Sequence, residues 1–301
     1  MREYLKSFFD EYEYTARERV ALAAAYERIA ENAEARKIFT SILDAYDKDN
    51  AAMTDGVEAD IRALAELAGV NPLTAILLTV ICLSRRLRVR LAELGFSKKI
   101  IGLTLADFKY KMIECEYVYG VPGTEHWTWY VRFFALKLVG IGRLQFELTE
   151  FKGGTYKKGD KVLKSGDRIL AVHIPRNGAP LTDRACLSAY KEAREVFCKL
   201  LSVEDIPFRC ASWLLYPKNK EFLPPSSNIV KFMSRYDILE VTDLPREGSS
   251  AISFLFGVRP DTPHDALPRR TSLQAAYADH LLAGGCMGSA LGVFFLDNIL
   301  K

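Results

Sequence analysis

Four polar residues stand at spacings that suit acid–base chemistry. Arg143, Gln145 and Glu147 occupy alternate positions of residues 143–149, and Leu144, Phe146 and Leu148 fill the positions between them. A period of two predicts a strand with one polar and one apolar face. On a central strand that polar face must line a cleft, because buried charge without a partner is too costly. Glu147 would then take a proton as general base, and Arg143 would grip a carboxylate through two parallel bonds. On an edge strand the same face would simply meet water. His173 lies near the carboxyl end of an apolar run, residues 169–174. Open α/β sheets bind ligands at that end of their strands. A neutral imidazole there can accept a proton from an ammonium group. The plain alternative is a half-buried histidine bonded to a backbone carbonyl.

The next residues, Pro175-Arg176-Asn177-Gly178-Ala179-Pro180, read as a turn that feeds a helix beginning near Thr182. The N–H groups of Gly178, Ala179, Leu181 and Thr182, with the positive end of the helix dipole, would suit an anion such as phosphate. Otherwise the segment is an ordinary strand-to-helix connection capped by Thr182. Cys210 and Ser212 share a strand face further on, but covalent catalysis needs a base beside the nucleophile. A buried structural thiol is the simpler reading. Asn228, Arg269, Arg270, Thr271 and Gln274 form a second polar group. Arg269 and Arg270 precede a helix start, where guanidinium and dipole together suit a phosphate or carboxylate. The alternative is a surface pair beside Asp265 or Asp279.

The elements that must position these residues fall into two parts. Residues 1–139 are expected to be all-helical, with helices over 18–32, 36–47, 57–68, 73–94 and 104–120, and one containing Trp127, Trp129, Phe133, Phe134 and Leu138. Apolar residues recur there at helical spacing. Asn71-Pro72 marks one start. Residues 140–301 turn to alternating strands: 143–149, 169–174, 208–216, 238–241 and 251–258. Helices are expected from Thr182, over 229–236 and over 272–283, with an apolar tail at 291–300. This order predicts an α/β domain with a mixed sheet, and so an α+β chain as a whole.

Composition narrows the partners. A chain of 301 residues that is 49% hydrophobic and 26% charged fits a folded protein with a sizeable core. The formal charge of +3 leaves Arg85-Arg86-Leu87-Arg88-Val89-Arg90 as the one basic run. It reads as a solvated helix face, so no nucleic acid partner is expected. Six cysteines without a C-x-x-C pair and four histidines without ligand spacing give no metal site. Reduced, buried thiols suit a cytoplasmic setting. The apolar run 73–83 is about half of a membrane span and reads as a buried helix, so no membrane is expected.

The element order after residue 140 resembles the GNAT superfamily of acyl-CoA N-acyltransferases. The whole chain is similar to bacterial acyltransferase-domain proteins, which join a helical N-terminal domain to a GNAT-like C-terminal one. The residues that carry this are Gly142-Arg143-Leu144-Gln145-Phe146-Glu147, His173-Ile174-Pro175, Cys210-Ala211-Ser212-Trp213-Leu214-Leu215, Ser227-Asn228-Ile229 and Leu267-Pro268-Arg269-Arg270-Thr271-Ser272-Leu273-Gln274. The resemblance implies acyl transfer from an acyl-CoA to a small-molecule amine or peptide. It implies a coenzyme held by His173, Ile174, Asn177, Gly178, Ala179, Leu181 and Thr182, with Glu147 or His173 as base. Arg143, Gln145, Ser212, Asn228 and Arg270 would contact the acceptor. The family's turn usually reads R/Q-x-x-G-x-G/A. Here Arg176-Asn177-Gly178-Ala179-Pro180-Leu181 has one glycine, and Pro180 has no N–H to donate. A GNAT-shaped module that binds a ligand without catalysis is the alternative.

Overall fold

The computed structural model describes residues 1–245 and 250–298. The chain forms two compact units: Met1–Gly140 with Pro175–Asn177, and Ile141–Ile174 with Gly178–Lys301.

The first unit is built from α1 (Arg2–Glu11), α2 (Ala16–Glu31), α3 (Ala33–Lys48), α4 (Val57–Leu67), α5 (Pro72–Glu93), α6 (Lys98–Tyr119) and α7 (Trp127–Phe134). Side-chain caps set several starts. Thr15 and Glu18 form a reciprocal capping box, and Asn32 and Asn71 accept from the first-turn N–H groups of α3 and α5. Every residue of α5 from Thr74 to Ser84 is buried, as expected of a helix that is apolar all round. Among the described residues, no single helix is long and apolar enough to cross a membrane.

Three helical expectations are corrected. α1 was not foreseen. α6 starts at Lys98 rather than Thr104, because Ser97 caps it by accepting from Ile100 N–H. Thr104 sits inside the helix instead, donating to Ile100 O and accepting from Gly140 N–H. α7 stops before Leu138, because Leu136 adopts φ +59° and the chain leaves as a strand. The arginine run is also only partly solvated. Arg88 pairs with Glu11, and Arg90 is buried with its guanidinium over the Tyr46 ring.

The second part of the chain runs through β1 (Leu138–Ile141), β2 (Leu144–Glu150), β3 (Thr155–Lys158), β4 (Lys161–Lys164), β5 (Arg168–His173), α8 (Asp183–Leu201), β6 (Phe208–Ser212), α9 (Asn219–Phe222), α10 (Asn228–Met233), β7 (Asp237–Asp243), α11 (Ser250–Phe256), α12 (Ser272–Leu282) and β8 (Gly288–Phe294). Six strands form one sheet in the order β1-β2-β5-β6-β8-β7, and β3 and β4 form a hairpin. The sheet is mixed: β5 and β6 run parallel, whereas β2–β5, β6–β8 and β7–β8 are antiparallel.

One sheet face packs on α8. Tyr190 of that helix meets Phe146, Phe208 and Phe294 with ring centroids 6.0, 5.2 and 5.0 Å away, each near edge-to-face. Its hydroxyl bonds to that of Tyr236 at 2.7 Å. On the opposite face, Ile169 and Val293 pack in a small cluster with Phe151, Phe295 and, from the hairpin, Leu163 and Tyr156.

Three expectations fail in this part. The pattern of residues 251–258 predicts a strand, but Ser250–Phe256 is helical; a short apolar run suits either state, and its neighbours decide. Residues 245–250, which would connect the strands expected at 238–241 and 251–258, lie largely outside the described residues. The first four residues of the apolar tail, 291–294, are instead the end of β8, paired with β6 and β7; residues 299 and 300 lie outside the described ones. β6 ends at Ser212, whose hydroxyl accepts from Leu214 N–H and turns the chain into a short 3-10 helix.

Candidate active site

Strand register brings the first candidates together. In the β2–β5 ladder, Gln145 faces His173 and Glu147 faces Ala171. Side chains of facing residues share a sheet face, so Gln145, Glu147, Ala171 and His173 all project away from α8. Glu147 and His173 are diagonal neighbours. His173 Nε2 donates to Glu147 Oε2 at 2.9 Å, with the two side chains 28% and 14% exposed. A carboxylate bonded to one ring nitrogen fixes which nitrogen carries the hydrogen and how the ring is turned. The result is an oriented, partly accessible proton acceptor.

Gln145 is 2% exposed, and its Nε2 has no hydrogen-bond partner among the described residues. Such an orphaned buried donor costs about 1–3 kcal/mol.

The ladder between β5 and β6 is short. Leu170 pairs with Phe208 and Ala171 with Arg209, whereas β5 pairs with β2 as far as His173 and β6 pairs with β8 as far as Ser212. The two parallel strands thus part beyond Ala171, on the side where His173 lies. A parted pair of strands leaves edge N–H and C=O groups that an extended ligand can pair with.

The turn after β5 has its own supports. Gly178 adopts φ +74°, with open space where a Cβ would sit, so the backbone conformation rather than crowding favours glycine there. Arg143 Nε donates to Ala179 O at 2.9 Å. Thr182 caps α8, accepting from Ala185 N–H. Asp183 in the first turn accepts from the nearly buried Arg235.

Several expected residues stand elsewhere. Arg143 precedes β2 rather than lying in it, and it braces the turn instead of sharing a face with Glu147. Asn177 belongs to the short segment grouped with the helical unit. Ser212 follows the α8-facing parity of Phe208 and Cys210, so it lies on the other sheet face. Asn228 is exposed at the start of α10, where Ser227 is the cap. Arg270 is exposed ahead of α12, and its N–H bonds to Gln274, while Arg269 pairs with Asp279. Cys210 is sealed on the α8 side, where burial pushes its thiol up to about 12. That rules against a nucleophilic role. Arg209 was missed. It shares the face of Ala171 and Glu147, and its signal was a single arginine inside an apolar strand.

A family comparison agrees with this architecture. The model of a GNAT-like C-terminal domain matches residues 138–294, more than half the chain, and that of an N-acyltransferase N-terminal domain matches residues 3–136. The chain belongs to this GNAT-like acyltransferase family. No curated protein matches. Among solved structures, an acyltransferase in complex with decanoyl-CoA and teicoplanin is 21% identical, with a TM-score of 0.72 over 97% of this chain and 87% of its own. An acyltransferase mutant in complex with octanoyl-CoA is 21% identical, with a TM-score of 0.73 over 97% of this chain and 88% of its own. Another acyltransferase in complex with decanoyl-CoA is 20% identical, with a TM-score of 0.65 over 96% of this chain and 98% of its own. At these identities the likeness is one of fold.

Proposed function

We propose that this protein transfers an acyl group from an acyl-CoA to an amine. The observation that carries this reading is the Glu147–His173 pair, oriented on the polar sheet face where β5 parts from β6. The acyl-CoA complexes of the structural neighbours, and the family's acyltransferase character, support it.

The acyl-CoA supplies the thioester. The parted edge of β5 at residues 172–174 suits its extended arm, and Gly178, Leu181 and Thr182 N–H groups at the α8 start suit its phosphates. Glu147 and His173 take the proton from the amine, making its lone pair available. A bond then forms between nitrogen and carbonyl carbon as the carbon–sulfur bond breaks; the nitrogen gives up its second proton to solvent, and the proton held by the pair passes to the departing thiolate. Gln145 Nε2, the buried donor without an acceptor, suits the carbonyl oxygen as negative charge develops on it. The acceptor is a small molecule or peptide-like amine, in keeping with the teicoplanin complex of one neighbour.

Thermal shift with decanoyl-CoA and thiol release with a panel of primary amines test the reading. Binding with turnover in the wild type is expected. Glu147→Gln should keep binding and lose about 10²–10³-fold in turnover. Absence of any shift with decanoyl-, octanoyl- or acetyl-CoA would overturn the reading. A shift without turnover on any amine would favour the ligand-binding module.

A further inference from the structure

Arg209 carries a positive charge that neither the packing nor the acyl-transfer reading uses. It lies in β6 between Phe208 and Cys210, both buried on the α8 side, so its own side chain leaves the opposite face. Its register partner in β5 is Ala171, whose partner in β2 is Glu147. Arg209, Ala171 and Glu147 thus form one row across three adjacent strands. At ordinary strand spacing the outer two Cα atoms are roughly 9.6 Å apart. On that face the Ala171 position lies between Arg209 and Glu147. Among the described residues, the buried Arg209 Nε has no hydrogen-bond partner and no carboxylate pairs with the guanidinium. The buried Nε has lost water without gaining a partner, and a planar guanidinium so placed can take a carboxylate from outside the chain.

We propose that the acyl acceptor is an α-amino acid, with its amino group at Glu147–His173 and its carboxylate on Arg209. This rests on the acyl-transfer reading. One carbon separates amine from carboxylate in such a molecule, which suits a base and a cation that face each other across one alanine. The planar guanidinium matches a carboxylate in shape as well as charge. The amino acid loses two protons in all. One ends on the coenzyme thiol and one passes to solvent, and the product is an N-acyl amino acid that keeps its carboxylate.

Equilibrium dialysis of the full-length protein, saturated with coenzyme A, tests this without turnover. The probes are a mixture of the twenty common amino acids and the matching mixture of amino-acid amides, with retained compounds identified by mass spectrometry. The wild type should retain at least one amino acid about 30-fold more tightly than its amide. Arg209→Gln should abolish that preference while decanoyl-CoA still binds, and Arg209→Lys should restore part of it. Equal retention of acid and amide by the wild type would overturn the proposal. So would decanoyl-CoA binding with no amino acid retained. Loss of decanoyl-CoA affinity in Arg209→Gln, with amino-acid retention intact, would assign the arginine to the coenzyme phosphates instead. Failure of decanoyl-, octanoyl- and acetyl-CoA alike to bind the wild type would bring down the acyl-transfer reading itself, and this proposal with it.

Discussion

The two faces of the central sheet come from the same alternating strands, yet one is closed and the other is left polar. On the α8 side, Phe146, Phe208, Phe294 and Tyr190 interlock, and even the Tyr190 hydroxyl has a partner in Tyr236. On the other side, Gln145 Nε2 and Arg209 Nε are buried without acceptors among the described residues, beside a bonded Glu147–His173 pair. Stability alone would favour pairing or replacing such groups. The contrast separates labour. One face holds the fold together, and the other carries the polar groups to which the proposed acyl transfer assigns ligand contacts.

The largest effect should come from breaking the closed face. Phe208→Ala removes a ring from the stacked and edge-on cluster and should cost about 3–5 kcal/mol, read as a drop in the urea midpoint.

A smaller effect on the same face follows from pH. Burial pushes the Cys210 thiol up to about 12, whereas in an unfolded chain it ionises near about 8.5. Between those values the unfolded state loses its proton and the native state does not. The stability difference is therefore fully present below the unfolded value and is lost as pH rises toward the folded one. From pH 8 to pH 10 this thiol alone should remove about 2 kcal/mol, and Cys210→Ala should lack that part of the loss in urea titrations at the two pH values.

The smallest effect has the opposite sign and belongs to the polar face. Gln145→Leu removes an orphaned donor and should raise stability by about 1 kcal/mol while lowering turnover. A variant that is less stable and fully active would break the comparison between the faces.

The polar face was legible because alternation in residues 143–149 separates Gln145 and Glu147 from Leu144, Phe146 and Leu148 whatever the strand pairs with. The same logic put Arg143 on that face. It failed because the strand begins one residue later and Arg143 falls in a turn. Helix ends with side-chain caps, such as Asn71 and Thr182, were readable from local chemistry. β8 was not, because its pairing with β6 and β7 joins segments far apart in the chain. Residues 250–256 show the same limit. An Ile-Ser-Phe-Leu-Phe run fits a strand or a helix, and only its surroundings decide. The contact between Glu147 and His173 depended on register, which neither residue's own segment reveals.

That contact is the centre of the account, and single-turnover acyl transfer from decanoyl-CoA tests it most directly. Glu147→Gln, His173→Gln and the double variant would be compared with the wild type at saturating coenzyme. If the two residues act as one proton acceptor, the three variants should lose similar amounts, about 10²–10³-fold, with decanoyl-CoA binding retained. Losses that multiply in the double variant, or a double variant as fast as the wild type, would contradict it.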